Sequence, residues 1–233
     1  MNYKKIKLYH YPSSRSARVY WTLHETVGDN FEVEVVPLYD GEQYKESYLL
    51  KNPNHCVPLL EITLESGETK SMIESGAMVE WLIDAFPEKN LAPLAKADFS
   101  RADYLQMVHF GSTWMDMMLW QIRIHEHMLP VSERDQRTID RYRSKFVNEI
   151  EPQIKERLDK SPYICGDLFS GADCIIASNV MWARGYGLCA DEVFRGYLSR
   201  VSKREAFIKA YADAHDFSAE IPEGKAIISR FTG

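Results

Sequence analysis

The sequence predicts an α/β domain followed by an all-helical domain. Three observations lead to this fold class. Strand-like and helix-like patches alternate over about the first 85 residues, helical periodicity continues almost uninterrupted from about residue 98, and a segment with two prolines separates the two regions. We therefore predict one domain over 1–86, a linker over 87–97 and a second domain over 98–233.

The first half alternates between periods of two and of about 3.6 residues. Gly28 and Pro53 are natural ends for its first two helices. Predicted strands are 5–11, 31–38, 57–64 and 69–73, and predicted helices are 16–28, 42–52 and 75–86. The order β-α-β-α-β-β-α predicts a small mixed sheet with helices on its faces.

The second half is helical by its periodicity. Pro130 ends the first long segment, and Pro152 is expected to bend the second. The predicted helical segments are 101–129, 134–160, 174–187 and 192–214. Within "FSGADCII", Ser170 and Asp173 have the spacing of a capping box, with Phe169 and Cys174 in hydrophobic-staple positions. This motif predicts a folding device without chemistry of its own.

Composition excludes several function classes. The 233 residues carry a net charge of −6, and their basic residues are dispersed, so we expect no nucleic-acid partner. No apolar run approaches the ~20 residues that span a bilayer, so we expect no membrane partner. The four cysteines form no CxxC pair and are typical of reduced thiols, which predicts a cytoplasmic protein.

A turn rich in serine, "HYPSSRSARVYW", lies between the first strand and the first helix. Ser13, Ser14 and Ser16 are all able to cap the free N–H groups of that helix. The same N–H groups, the helix dipole and the hydroxyls also favour a bound anion. The local sequence leaves both interpretations open.

Two further stretches have a structural and a functional interpretation. In "NPNHCVPLLEI", the backbone of Val57 either belongs to a plain loop before a strand or is free to pair with an extended peptide. In "IESGAMVEWL", Glu74 and Ser75 stand at the start of a helix, where Ser75 either caps the helix or holds a carboxylate through its backbone N–H.

Six blocks in order make the sequence resemble the cytosolic glutathione S-transferases, in particular bacterial-type, theta- or delta-like members that use a serine. The blocks are "LYHYPSSRSARVYW", "NPNHCVPLLEI", "ESGAMVEWLIDAFP", "RADYLQMVHF", "YICGDLFSGADCII" and "VFRGYLSRVSKREAFIKA". The resemblance implies a thioredoxin-like N-terminal domain, an all-helical C-terminal domain, a homodimer, a role in detoxification and glutathione as co-substrate.

The resemblance also implies roles for individual residues. Ser14 lies on the family's S-x-P-x-R pattern and is expected to donate a hydrogen bond to the glutathione sulfur, with Ser13 and Ser16 as alternates. Val57 is expected to pair with the cysteinyl backbone of glutathione, with Pro58 in the cis form.

At the two ends of the tripeptide, the resemblance places His55 near the glycyl group and assigns Glu74 and Ser75 to the γ-glutamyl carboxylate. Two positions depart from related patterns. Arg15 replaces the cysteine of beta-type and zeta-type members, which argues against glutaredoxin-like chemistry and lowers the weight of isomerisation. Gly76 stands where delta-like members often carry arginine, so one contact to the ligand or to a neighbouring subunit is absent.

The electrophile pocket is expected between the domains, against the methionine- and tryptophan-rich stretch "WMDMMLW". Candidate lining residues are Tyr11, Trp114 and Met118, although an ordinary helix-bundle core explains the stretch as well. His125 and His127 are two positions apart and point away from each other on a helix, so we expect no metal site.

The function expected from these features is conjugation of the glutathione thiolate to a small apolar electrophile. Three other glutathione-dependent activities remain open: peroxide reduction, ether cleavage and isomerisation. A non-catalytic binding or scaffold protein with the same fold is the alternative outside enzymology.

Overall fold

The computed structural model describes residues 3–94, 96, 98–223 and 225. A four-stranded sheet forms its first half, with strands β1 (Tyr3–His10), β2 (Glu32–Val35), β3 (Leu59–Leu64) and β4 (Thr69–Met72). The strand order is β2-β1-β3-β4. Strand β2 is parallel to β1, whereas β3 is antiparallel to β1 and β4 antiparallel to β3. The predicted mixed sheet is confirmed.

Helices connect the strands and make up the second half. Their bounds are α1 (Ser16–Val27), α2 (Glu46–Leu49), α3 (Ser75–Ala85), α4 (Ser100–His109), α5 (Asp116–Arg123), α6 (Gln136–Lys145), α7 (Glu151–Lys160), α8 (Gly171–Gly185), α9 (Glu192–Val201) and α10 (Glu205–Ala210). The predicted order β-α-β-α-β-β-α is therefore confirmed. The second predicted helix, 42–52, is shorter than expected and retains one α-helical turn, preceded by 3₁₀ turns.

The long helices of the second half contain local π-helical turns. Phe110–Met115 joins α4 to α5, Ile124–Met128 continues α5 to its end before Pro130, and Phe146–Ile150 joins α6 to α7. Such turns insert one residue into the helical repeat, which shifts the face that later residues present. The sequence predicted the extent of these segments but not the π-helical turns.

Helix α1 packs the two halves of the molecule together. Trp21 is fully buried, and its ring centroid lies 5.4 Å from that of Phe169 and 5.0 Å from that of Phe207, both in the second half. One continuous core therefore extends from the sheet to the helices. Gly28 ends α1 with a φ of 63°, a conformation that favours glycine.

The capping box at the start of α8 is confirmed. Asp173 Oδ2 accepts the backbone N–H of Ser170 at 2.9 Å, and the Ser170 side chain in turn accepts from the N3 backbone. Asp173 Oδ1 accepts from the backbone N–H of Ile164 at 2.9 Å and from the Tyr197 hydroxyl at 2.8 Å. Four donors surround this buried carboxylate, because the Ser170 hydroxyl also lies 3.0 Å from Oδ2.

The division at 86/87 and 97/98 stays a prediction. Residues 95 and 97 of the predicted linker, and 1–2, 224 and 226–233 of the predicted domains, lie outside the described residues. All four cysteines are free, as expected. Within the described ranges, none of the helices combines the length and the apolarity that crossing a membrane requires.

Candidate active site

Three segments of the chain meet at one end of the sheet, which we call the sheet end. Tyr9, near the last residue of β1, is opposite Leu59, the first residue of β3. Leu60 is in turn opposite Met72, the last residue of β4. The turn after β1, the loop before β3 and the loop after β4 therefore lie side by side, and they contain the predicted binding residues.

The turn after β1 brings two of its three serines together. Ser14 is partly exposed, and its Oγ donates to the backbone oxygen of Tyr11 at 2.8 Å while accepting the backbone N–H of Ser16 at 3.2 Å. Arg15 precedes α1 without a side-chain capping bond. Ser13 adopts a left-handed conformation with a φ of 50°. The Ser14 hydroxyl therefore lies at the open N-terminus of α1.

Ser16 connects this turn to a buried histidine. Its side chain has no exposed surface, and its Oγ lies 2.8 Å from Ser14 Oγ and 2.7 Å from His10 Nδ1. His10 is likewise fully buried, and its Nε2 lies 3.0 Å from Asp213 Oδ2. Because Ser16 faces the interior, it is poorly placed to contact a ligand, in contrast to the expectation that made it an alternate to Ser14.

The loop before β3 carries the predicted peptide-pairing position. The Val57–Pro58 bond is cis, as the resemblance implied. Within the part of the chain that the structure describes, the backbone N–H and C=O of Val57 have no hydrogen-bond partner. His55 has a φ of 44° and its ring stacks on Tyr44, with centroids 4.8 Å apart. The loop thus presents free backbone groups beside the serine turn.

The loop after β4 leads into α3 through a strained residue. Glu74 is exposed and has a φ of 72°, a conformation rare for a residue with a side chain. It precedes α3 without a side-chain capping bond, so the N–H groups of Ser75, Gly76 and Ala77 are free of intrahelical partners. Ser75 is the first helical residue and does not cap the helix, which corrects one of its two predicted roles.

Glycine at position 76 has a structural reason. A Cβ built there would lie 2.8 Å from Ser112 Oγ and 3.1 Å from Ser112 Cβ, so the helical half approaches too closely for any larger residue. The arginine common in delta-like relatives does not fit this space. Gly76 therefore results from the packing between α3 and the turn that follows α4.

A cluster of charges and indole rings borders the serine turn, and the sequence did not predict it. Asp116 Oδ2 accepts from Arg15 Nε at 2.7 Å, and Asp116 Oδ1 accepts from the buried Arg18 at 2.8 Å. The Arg15 guanidinium also lies 5.0 Å from the ring centroid of Trp120 and 5.2 Å from that of Trp182. Two cations share one carboxylate, which leaves a formal excess of one positive charge next to Ser14.

The segment after α10 extends toward the sheet end. Tyr39, in the loop after β2, donates to the backbone oxygen of Ser218 at 2.7 Å and accepts from Arg123 at 3.2 Å. Arg123 lies 5.1 Å from the Phe217 ring centroid, and the Tyr11 ring meets Tyr39 edge to face at 5.8 Å. Tyr11 therefore lies near aromatic rings and a third cation, Arg123.

The structure does not bring the predicted pocket residues together. Tyr11 is partly exposed at the sheet end, but Met118 has no exposed surface and packs in the main core, so it lines no open pocket. Trp114 is exposed and lies against Lys145, at 5.7 Å from the ring centroid to Nζ. The π-helical turn Phe110–Met115 contains Trp114 and precedes Met118, and it shifts the helix face on which the residues after it lie. Trp120 and Trp182 instead lie against Arg15, beside the serine turn.

Two cavities lie away from the sheet end. One of about 470 Å³ lies between α4 and α7 and is lined by Gln106, Gln153 and Arg157 among others. The other, of about 210 Å³, lies near Ile83 and Leu91. Neither includes a predicted ligand-binding residue.

The two histidines after α5 have separate surroundings. His125 Nδ1 accepts the backbone N–H of Asp135 at 3.1 Å, and the ring of His127 stacks on Tyr186. Over the ranges that the structure describes, no three histidine, cysteine or acidic side chains are grouped closely enough to hold a metal ion.

Two pKa shifts describe the electrostatics near the sheet end. Burial raises the pKa of the Tyr11 phenol, and the neighbouring Tyr39 adds to the shift. Partial desolvation by neighbouring groups raises the pKa of the Cys56 thiol even though the residue as a whole is exposed, whereas a hydrogen bond from Asn52 and the charge of Arg15 oppose the change. Both groups are therefore neutral near pH 7, and Cys56 is not an activated thiolate.

The amino-acid sequence is similar to those of known proteins. Residues 8–90 match the family model described as glutathione S-transferase, N-terminal domain. The chain is 32% identical to glutathione S-transferase D7 of Anopheles gambiae over 105 residues, which are 44% of each protein. It is 24% identical to glutathione S-transferase GstA of Escherichia coli O157:H7 over 85% of this chain and 94% of that protein.

Solved structures match over nearly the whole chain. BphK, a bacterial glutathione transferase solved as a ternary complex, has a TM-score of 0.75 and 27% identity over 90% of this chain and 99% of its own. A glutathione transferase family member from Pseudomonas fluorescens pf-5, solved with two glutathione bound, has a TM-score of 0.77 and 20% identity over 89% of this chain and 92% of its own. The predicted fold class, a thioredoxin-like domain followed by a helical domain, is confirmed.

Proposed function

Because residues 8–90 match the glutathione S-transferase N-terminal domain and the fold is that of glutathione transferases, we propose that the chain is a glutathione transferase that conjugates the thiolate of glutathione to a small apolar electrophile. Glutathione is bound in related structures and is the co-substrate here. The observation that carries the proposal is the Ser14 hydroxyl, partly exposed at the open N-terminus of α1 and beside the free backbone of Val57.

Ser14 donates its hydrogen bond to the sulfur and holds it as thiolate. A cysteinyl thiol has a pKa near 8.5, and lowering that pKa by about two units requires about 2.7 kcal/mol of preference for the thiolate. A hydrogen bond to a charged group contributes about 1.5–3 kcal/mol. The helix N-terminus and the excess positive charge of the Arg15 cluster add to it, so one hydroxyl at this place is sufficient.

Ser14 is a better donor than its neighbours. Its oxygen already accepts the N–H of Ser16, so its own proton is free to turn from the Tyr11 carbonyl to a sulfur. Ser16 is fully buried against His10. Ser13 follows as the alternate donor, since it is partly exposed in the same turn.

The tripeptide lies across the sheet end. Val57 pairs with its cysteinyl backbone, the free N–H groups at the start of α3 bind its γ-glutamyl carboxylate, and Glu74 binds its amino group. His55, stacked on Tyr44, approaches the glycyl end. The positions are the predicted ones, except that Glu74 is reassigned from the γ-glutamyl carboxylate to the amino group, because two carboxylates repel each other. They support the proposal by lying side by side.

The electrophile binds on the helical side of Ser14. Tyr11, Trp120 and Trp182 offer aromatic surfaces there, which suit a flat apolar molecule. Detoxification of such molecules, a homodimer and a cytoplasmic location follow from the resemblance and from the cysteine usage, and they stay predictions.

The test is a pH titration of the thiolate absorbance of glutathione bound to the purified protein. We expect an apparent thiol pKa well below that of free glutathione, and a return toward the free value in Ser14→Ala. Ser13→Ala is the matched control and is expected to titrate like the wild type. A bound thiol that titrates as in water, or no saturable binding, would contradict the proposal and favour a non-catalytic binding protein.

A further inference from the structure

A continuous chain of hydrogen bonds leads from the proposed sulfur-binding hydroxyl into the protein interior. Its four members are Ser14, Ser16, His10 and Asp213. The distances along it are 2.8 Å between the two serine oxygens, 2.7 Å from Ser16 Oγ to His10 Nδ1, and 3.0 Å from His10 Nε2 to Asp213 Oδ2. Asp213 follows α10, so this series of hydrogen bonds connects the two halves of the molecule.

A carboxylate at Asp213 sets the direction of the hydrogen bonds from Asp213 through His10 to Ser16 in the ligand-free protein. An ionised Asp213 only accepts, so His10 Nε2 carries the hydrogen and Nδ1 is the acceptor. Ser16 then donates its hydroxyl proton to Nδ1. Its oxygen accepts the backbone N–H of Tyr11 at 3.0 Å, and it accepts the single hydroxyl proton of Ser14 when that proton turns away from the Tyr11 carbonyl.

We propose that this chain is a proton relay in which His10 accepts the proton that glutathione loses when it becomes a thiolate. The inference rests on the proposed function, since it requires that the sulfur meets Ser14. His10 acts through the two serines, and Asp213 is a positioning residue that orients the imidazole and stabilises its charged form.

The proton balance is complete without any other reagent. The S–H bond of glutathione breaks as its proton passes to Ser14 Oγ. The proton of Ser14 passes to Ser16 Oγ, and that of Ser16 passes to His10 Nδ1. The products are a thiolate and an imidazolium, with the same number of protons as before.

After the proton transfer, every hydrogen bond of the relay has the opposite direction, which is the geometry that the proposed function needs. After transfer, His10 donates to Ser16, Ser16 donates to Ser14, and Ser14 donates to the thiolate. The hydroxyl that stabilises the sulfur is therefore turned toward it by the same event that creates its charge. A thiolate formed by release of the proton to water would leave Ser14 with the Tyr11 carbonyl and Ser16 as competing acceptors.

The surroundings of His10 place one carboxylate and one phenol against its imidazole ring. Its ring is fully buried, and in the described part of the chain two titratable groups make hydrogen-bond or ring contacts with it. Asp213, from the segment after α10, is the anion. Tyr20, from α1, meets the ring at a centroid distance of 5.0 Å, and burial raises the pKa of its phenol, so it stays neutral. Val36, the residue after β2, contributes its backbone N–H, which donates to the His10 carbonyl at 2.8 Å.

The deciding experiment counts protons. Glutathione is added to the protein near neutral pH in weakly buffered solution, with an indicator dye for released protons and the thiolate absorbance for the sulfur. S-methylglutathione, which has no thiol, is added in parallel to subtract protons released by other groups. In the wild type we expect thiolate formation with almost no thiol-dependent proton release.

Two variants break the relay while keeping Ser14. Asp213→Asn retains an acceptor oxygen but removes the charge that stabilises the imidazolium, and Ser16→Ala removes the link between Ser14 and His10. Each is expected to release about one proton for each thiolate formed. Asp216→Asn is the matched control, because Asp216 lies in the same segment, is exposed, and pairs with His215. It is expected to behave like the wild type.

The outcomes separate the two proposals. A wild-type protein that forms the thiolate and releases one proton overturns the relay and leaves the proposed function intact. A thiolate with little proton release in both the wild type and Asp213→Asn also overturns it, because the acceptor is then another group. Failure to form any thiolate contradicts the proposed function and the relay with it.

Discussion

The serines that lie just before α1 and α8 differ in what remains available to a ligand. At α8, Ser170 and Asp173 form a capping box, and both side chains are buried. At α1, no side chain caps the helix from Arg15, and the Ser14 hydroxyl is partly exposed. The same residue type thus serves folding at one helix and ligand binding at the other.

The difference between the two helix starts lies in the hydrogen-bond partners of each serine and not in the serine itself. Asp173 holds four donors in place, so no hydrogen bond at α8 is free to change. The Ser14 oxygen accepts one hydrogen bond, from the backbone N–H of Ser16. Its own proton is donated to the Tyr11 carbonyl, an acceptor that a ligand atom is able to replace. The start of α3 is a second open N-terminus, where Glu74 provides no cap and the backbone N–H groups face the same sheet end. The starts of α1 and α3 therefore both lie at the sheet end with groups available to a ligand, whereas the capping box of α8 lies in the helical half.

The largest effect is expected at the capped N-terminus of α8. Asp173→Ala leaves four buried donors without an acceptor, and we expect it to lower the free energy of unfolding by about 3–5 kcal/mol. Urea denaturation followed by circular dichroism measures the loss. The nearby exposed Asp167→Ala is the control and is expected to change the stability by about 0.5 kcal/mol or less. A loss below about 1 kcal/mol in Asp173→Ala would show that water replaces the carboxylate.

At the open N-terminus of α1, the expected effect is on catalysis and not on folding. Ser14→Ala should lower kcat/KM about 10- to 100-fold, because the hydroxyl stabilises the thiolate by about 1.5–3 kcal/mol. The affinity for glutathione should stay within a few-fold, since the hydroxyl contacts only the sulfur. Steady-state kinetics with a chromogenic aromatic electrophile measure the effect, beside Ser13→Ala. Equal losses in the two variants would assign the role to the turn as a whole.

The reciprocal substitution separates the two helices. Ser170→Ala removes one half of the capping box, and we expect it to lower the free energy of unfolding by about 1 kcal/mol. The apparent pKa of the bound glutathione thiol should remain that of the wild type. Thermal unfolding and the thiolate titration, made on the same preparation, measure both quantities. A changed thiol pKa in Ser170→Ala would mean that the two N-termini are coupled through the core.

Sequence motifs predicted the features that depend on neighbouring residues. The capping box of Ser170 and Asp173 has its partners three positions apart, and the βαβαββα order follows from local periodicity. The cis Val57–Pro58 bond came from the resemblance. Each of these features is specified within a short segment, where residue type and spacing carry the information.

Contacts between residues that are far apart along the chain could not be predicted from the sequence. Asp213 reaches His10 across 203 positions, and Asp116 reaches Arg15 across 101. No local pattern marks such partners, because an aspartate in a helical segment has the appearance of a solvent-exposed residue. The failure at Met118 has a different cause, since apolar residues on a helix buried on several sides do not show which face lines a pocket.

The smallest expected effect tests the second open N-terminus, at α3. Gly76→Ala places a Cβ 2.8 Å from Ser112 Oγ, which already donates to the Val108 carbonyl and cannot turn away without losing that bond. Helix α3 must then shift by a few tenths of an ångström, which misaligns its free N–H groups. We expect the Kd for glutathione, measured by calorimetry, to rise about threefold to tenfold.

A control and a rescue sharpen this last comparison. Gly196→Ala, on α9, meets no atom within 4 Å and should raise the helix stability by about 1 kcal/mol without changing the Kd. Ser112→Ala removes the nearer of the two contacts and should restore much of the affinity lost in Gly76→Ala. Unchanged glutathione affinity in Gly76→Ala would mean that the start of α3 tolerates the shift, and that Glu74 and Val57 align the tripeptide without it.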